Sequence, residues 1–84
     1  MENVEISEEE LKVFHKTVGE NVKKIRAERN ITQMELANAI GHESVAHIAK
    51  AELNKYGKKF NLEHIYKMSK VLKIPMSEFF IGIK

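Results

Sequence analysis

The sequence contains no cysteine, so neither a disulfide framework nor a thiolate metal site is open to it. It has one proline and four glycines, and no long stretch in which apolar and polar residues alternate. Together these point away from sheets and towards an all-helical fold. No apolar run approaches the ~20 residues of a membrane helix, and no signal-peptide pattern opens the chain, so a soluble cytoplasmic protein without a membrane partner is expected. A Ser–His or Cys–His constellation is missing, as is a glycine-rich phosphate loop. Neither enzymatic activity nor a metal or other cofactor is therefore expected. Aspartate is absent too, and every one of the 12 acidic residues is a glutamate.

Five of those glutamates (Glu2, Glu5, Glu8, Glu9 and Glu10) lie in the first ten residues, where there is no base. The rest of the chain carries 14 Lys and Arg against seven Glu. A net charge of +2 thus hides a basic body with an acidic beginning. Such a body suits a polyanion, although surface lysines also serve plain solubility. With 84 residues the chain is expected to form an acidic tail at 1–7 and one domain at 8–84. That is enough for a modest core and short enough that self-association would help stability.

Residues 31–52, ITQMELANAIGHESVAHIAKAE, are the most informative stretch. Thr32 and Glu35 have the spacing of a capping box, and Ile31 can staple onto Leu36. Leu36, Ala37 and Ile40 make one apolar face. Gly41 then supplies the positive φ that ends a helix cheaply. Ser44 can cap a further helix running to about Leu53. A start, a stop and a new start within so few residues describe two short helices joined by a tight turn, the layout that places one helix in a DNA groove.

The flanks also read as helices. Ser7 and Glu10 form another capping box, so a long helix from Glu8 to about Arg29 is expected, with Asn30 at its left-handed end. Leu11, Phe14, Val18, Val22 and Ile25 recur at intervals of three and four as one apolar stripe. Gly19 lies off that stripe and should weaken the helix by about 1 kcal/mol. After a Lys- and Gly-containing loop, Asn61 caps a helix that turns Leu62, Ile65, Met68 and Leu72 inward. Pro75 suits the entry of a short fifth helix, Met76 to about Ile81.

Arg26, the T-Q-x-E-L-A run from Thr32 to Ala37, Gly41, Ile48, Glu52 and the closing I-P-M-S-E-F-F of Ile74 to Phe80 together resemble the Xre/Cro-type helix-turn-helix family. In length and ending the chain is similar to phage repressors and restriction–modification controller proteins. The resemblance covers roughly Val18 to Ile81 and implies a compact five-helix, lambda-repressor-like fold, here with an extended first helix. It implies a transcriptional regulator, most simply a repressor or autoregulator, that binds double-stranded DNA as a homodimer. Residues 1–17 are not required by the family pattern.

With Ile48 and Ala51 pointing inward, Ser44, Val45, Ala46, His47, Ala49 and Lys50 are left on the outer face of the third helix. The resemblance puts these on base-reading positions. Gly41 to Ile48 is one residue longer than usual, which implies an extra residue near His42–Glu43. The face lacks Gln, Asn and Arg. Lys50 can donate to guanine, His47 can donate or accept, and Val45, Ala46 and Ala49 can touch only thymine methyls. Weak direct readout with more reliance on DNA shape and phosphates is expected. In the alternative reading Val45 is partly buried beside Ile48, and Ala46 and Ala49 are ordinary helix formers. Gln33 opens the second helix, where family members set a Gln amide on a phosphate and the helix terminus favours the same anion. Lys55, Lys58 and Lys59 follow the third helix and are placed for backbone contacts, or form only a solvated face.

Arg26 and Glu52 have a different implied role, an internal ion pair bracing the first helix against the third. His42, Glu43 and His47 come near a zinc-protease motif, but the histidines are five apart rather than four, about 140° around a helix, with a turn between them. Met76, Phe79, Phe80, Ile81 and Ile83 crowd the end of the chain, and one short helix can bury only part of that set. The remainder is a dimer surface, unless the long first helix covers it. Two other roles fit the same fold. One is a protein-interaction module, which the donor-poor face favours. The other is an antitoxin with a protein partner, for which the acidic first residues could serve.

Overall fold

A computed structural model describes residues 1–41 and 43–84. It contains α1 (Glu8–Glu28), α2 (Gln33–Ala39), α3 (Val45–Leu53) and α4 (Leu62–Leu72), with 3-10 turns at Lys55–Gly57 and Met76–Phe80. No strand occurs among the described residues. The helix starts follow local chemistry. Ser7 Oγ accepts from the Glu10 N–H at 3.1 Å and Thr32 Oγ1 from the Glu35 N–H at 3.0 Å. Glu35 returns the bond by accepting from the Thr32 N–H at 2.9 Å. Ser44 Oγ caps α3 through the His47 N–H.

The end of α1 is equally local. Asn30 takes φ 55°, and the N–H groups of Asn30 and Ile31 donate back to the carbonyls of Ala27 and Arg26. This reversed pair of bonds satisfies carbonyls that the helix end would otherwise leave bare. Gly41, at φ 107°, closes α2 in a backbone conformation open to few residues but glycine. The extra turn residue expected at His42–Glu43 and the zinc-like His42 fall partly or wholly outside the described residues.

Every α-helix contributes to one core. Val18, Val22 and Ile25 of α1 meet Leu36 and Ala37 of α2, Ile48 and Ala51 of α3, and Ile65 and Met68 of α4. Ile40, Phe60 and Phe79 complete it.

Four expectations need correction. The fifth helix is a five-residue 3-10 turn, and the Asn21 side-chain amide donates to the carbonyls of both Phe79 and Ile81 at 2.9 Å. That amide anchors the turn to α1, and the extended Ile81 ends it. Leu62 is 72% exposed, and His64 takes the inward place beside Ile65 because its ring is needed at the cap of α4. The α1 stripe is continuous in sequence but not in burial: Leu11 is 47% exposed, since the first two turns run past the body. Gly19 is no passive weak point either. Its Cα packs under the end of α3, where a Cβ would sit 2.6 Å from the carbonyl oxygens of Ala51 and Glu52.

Candidate nucleic-acid interface

The cap of α2 and the end of α3 are joined to α1 by one polar cluster. Glu52 is 1% exposed. Its Oε2 accepts from Arg26 Nε at 2.7 Å, and its Oε1 accepts from Arg26 Nη2 at 3.0 Å and from Gln33 Nε2 at 2.9 Å. Arg26 Nη1 donates to the Ile31 carbonyl at 2.8 Å. The fork of a guanidinium matches a carboxylate in this two-bond geometry. The hydrogen bonds it donates to Glu52 hold the Arg26 guanidinium more firmly protonated than usual. Gln33 is thereby fixed at the start of α2 with one amide hydrogen committed to Glu52, and its second hydrogen and carbonyl oxygen remain for an external partner.

Along α3, Ser44, Val45 and Ala46 are exposed, and Ala49 and Lys50 are half-buried on the same side. The last turn of α3 ends at Asn54, in a left-handed conformation, whose side-chain amide donates to the Lys58 carbonyl at 2.8 Å. That clasp forms a tight loop. Tyr56 within it is also left-handed, at φ 53°, and is exposed. Its ring lies 5.8 Å from Lys50 Nζ and 5.4 Å from Lys55 Nζ. Two cations against one aromatic ring thus form a group of donors at the end of α3. A non-glycine residue in the left-handed region carries strain, and such residues cluster at binding sites. Tyr56 escaped the sequence reading. Its signal was present as an aromatic interleaved with Lys55 and Lys58, a pattern that suits backbone and base contacts alike.

Two expected site residues are placed elsewhere. The His47 ring turns inward from the reading face, to 5.3 Å from the His64 ring and 6.4 Å from Phe60. Its Nε2 is buried and makes no hydrogen bond among the described residues. Beside it, His64 Nδ1 accepts from the Asn61 N–H at 3.1 Å, so Nε2 carries the proton and donates to Glu43 Oε2 at 2.9 Å. That bond holds the Glu43 carboxyl below its ordinary value. An aromatic pocket attracts the His47 ring more than the solvent side of the helix does. Lys59 lies not with Lys50 and Tyr56 but beside His15 of α1, whose pKa falls below its ordinary value through burial and, secondarily, this positive neighbour. Lys55 and Lys58 stay exposed on the loop.

The expected dimer residues divide as well. Phe79 is 0% exposed and belongs to the core of its own chain, which corrects its assignment to an interface. Met76, Phe80 and Ile83 are half-buried against that core, and Ile81 is exposed.

A capped short helix, a glycine turn and a second helix with an open outer face are now placed together. Residues 22–79 match the family model described as Helix-turn-helix. The chain belongs to the helix-turn-helix family. The matched span starts inside α1 and ends at Phe79, leaving out the first 14 residues of α1, about four turns. No curated protein matches the chain. Membership in this Xre/Cro-like family makes it a DNA-binding helix-turn-helix domain, and none of its described helices is long and apolar enough to cross a membrane.

Proposed function

We propose that this helix-turn-helix domain is a sequence-specific transcriptional regulator, most simply a cytoplasmic repressor or autoregulator, acting on DNA as a homodimer. The observation that carries the proposal is the exposed side of α3, accompanied by Gln33, held on Glu52, and by Lys50 and Lys55 around Tyr56. In this reading α3 enters the major groove. Lys50 donates to guanine acceptors, Ser44 offers a hydroxyl, and Val45, Ala46 and Ala49 meet thymine methyls. Gln33, Lys55 and Lys58 grip phosphates and set the register. His47 is assigned to positioning α3 through its packing on Phe60 and His64. Glu52 orients Gln33 in the same sense. Two copies of α3 would meet successive major grooves about 34 Å apart.

The test is an electrophoretic shift on the DNA upstream of the protein's own coding sequence, run at several salt concentrations. Binding that weakens steeply with salt, with a preference over scrambled DNA, is expected. Lys50→Ala should relax base preference, and Gln33→Ala should weaken all sequences alike. No shift at low salt would refute the proposal. A second reading, a protein-interaction module, is favoured by the exposed Val45 and Ala46 on a face with so few donors. It predicts no shift at any salt.

A further inference from the structure

The first two turns of α1 extend beyond the family match and beyond the core, yet they are not polar. Leu11, Val13 and Phe14 are exposed there, with Val13 at 64%. Beneath them a groove of about 700 Å³ opens between α1 and the end of the chain, lined among others by Glu9, Glu10, Val13, Phe14, Thr17 and Ile83. The apolar stripe that buries Val18, Val22 and Ile25 thus continues outward with only Ile83 and its neighbours to cover it. An uncovered apolar face on a small domain marks an association surface.

We infer that this groove seats the α1 extension of a second copy of the chain, the two extensions running antiparallel. The charges select that occupant. At 3.6 residues per turn, Glu10, Val13, Phe14 and Thr17 share one face of α1, and Glu9 and Lys16 lie two turns apart on one flank of it. A two-fold axis crossing α1 beside Lys12–Val13 sets like flank against like flank. Glu9 of each copy then opposes Lys16 of the other, and the apolar residues meet between the two contacts. A parallel pairing would instead stack Glu8, Glu9 and Glu10 on their own images. The inference rests on the homodimer reading above and moves the interface from the end of the chain to α1. Of the residues expected there, Ile83 keeps a place as one wall.

Sedimentation velocity on the full chain at about 100 µM, a concentration that populates micromolar dimers, should give the mass of two chains. Phe14→Glu should give one chain that remains folded by circular dichroism, since Phe14 is peripheral to the core. Glu9→Lys and Lys16→Glu should each raise the dimer dissociation constant about tenfold, because each introduces two like-charge contacts per dimer. Combining them should restore it. A monomeric wild type, a Phe14→Glu variant that still pairs, or a double variant no better than the singles would each overturn the inference. Fluorescence anisotropy on a duplex carrying one half-site separates this from the DNA reading. Phe14→Glu should bind that duplex as wild type does. A wild type that pairs but binds no DNA would sink the regulator and leave the α1 interface standing.

Discussion

Gly19→Ala reverses an ordinary rule. In an exposed helix interior, alanine is favoured over glycine by about 1 kcal/mol. Here the new Cβ would lie 2.6 Å from the carbonyl oxygens of Ala51 and Glu52 and 2.9 Å from the Glu52 carbonyl carbon. All three are backbone atoms, so no side chain can swing aside. Ordinary contact begins near 3.4 Å, so α1 and the end of α3 must separate by most of an ångström. That movement opens the packing of Val18, Val22 and Ile48 and stretches the 2.7 Å contact between Arg26 and Glu52. Overpacking of this kind costs about 1–3 kcal/mol, and against rigid backbone the upper end applies. After subtracting the helix gain, a net loss of about 1–2 kcal/mol is expected. For a domain of this size that lowers the melting temperature by roughly 5–15 °C. Thermal and urea unfolding followed by circular dichroism measure it. A Gly19→Ala protein as stable as wild type, or more so, would refute the close approach of α1 to α3.

Glu52→Gln should cost about 3 kcal/mol in urea unfolding, the low end for a broken buried pair, because Arg26 keeps a wet edge. It should also weaken DNA binding by releasing Gln33, and a loss below about 1 kcal/mol would contradict the bracing role. Phe79→Ala should destabilise the fold by about 3–5 kcal/mol, where a residue of a dimer surface would change the sedimenting mass and spare the monomer. Acid should destabilise the protein. The His15 pKa is lowered, so folding disfavours its proton, and the stability present above its ordinary value of 6.5 is lost as pH falls. The Glu35 and Glu43 carboxyls are lowered from 4.5, by the Thr32 cap and by His64, and the stability they add is lost as pH falls through that range. Urea midpoints should therefore decline from neutral pH through the His15 range and again below 4.5 as the two carboxyls take up protons, and His15→Gln should flatten the upper part of that decline. A midpoint insensitive to pH would contradict all three shifts.

The helix starts were legible in the sequence because their causes are local. Ser7 with Glu10, Thr32 with Glu35 and the backbone N–H of His47 with Ser44 are bonds across three residues, and each is present at its expected helix start. The positive φ at Asn30 and Gly41 likewise belongs to single residues whose conformational freedom is intrinsic. Long apolar periods gave the core face of α1 from Val18 onward and of α4 from Ile65 onward, and the family pattern paired Arg26 with Glu52. Periodicity failed where it met an end or an exception. Leu62 matches the inward spacing of α4, yet the cap demands the imidazole of His64, so the helix turns to bury that ring.

The reading face was less legible, since orientation on a short helix is decided by what lies behind it. Nothing within α3 tells His47 to leave the solvent side. The pocket of Phe60 and His64, thirteen and seventeen residues further on, does so. Tyr56 gains its place beside Lys50 only because Asn54 clasps the Lys58 carbonyl and folds the loop back.

By itself, then, the sequence determined the helix-turn-helix frame: four of the five helices it led one to expect, their caps, the glycine turn and a basic body. These follow from hydrogen bonds and periods spanning a few residues, which any chain context preserves. Only the tertiary structure decided that Gly19 is a crossing point, that Phe79 is core, that Lys59 lies beside α1 and that the first turns of α1 are left uncovered. Each depends on elements distant in the chain, such as the Asn21 amide reaching the Phe79 and Ile81 carbonyls some sixty residues away. A period of three or four residues carries no record of such partners, because they are chosen by how whole helices fill one small core.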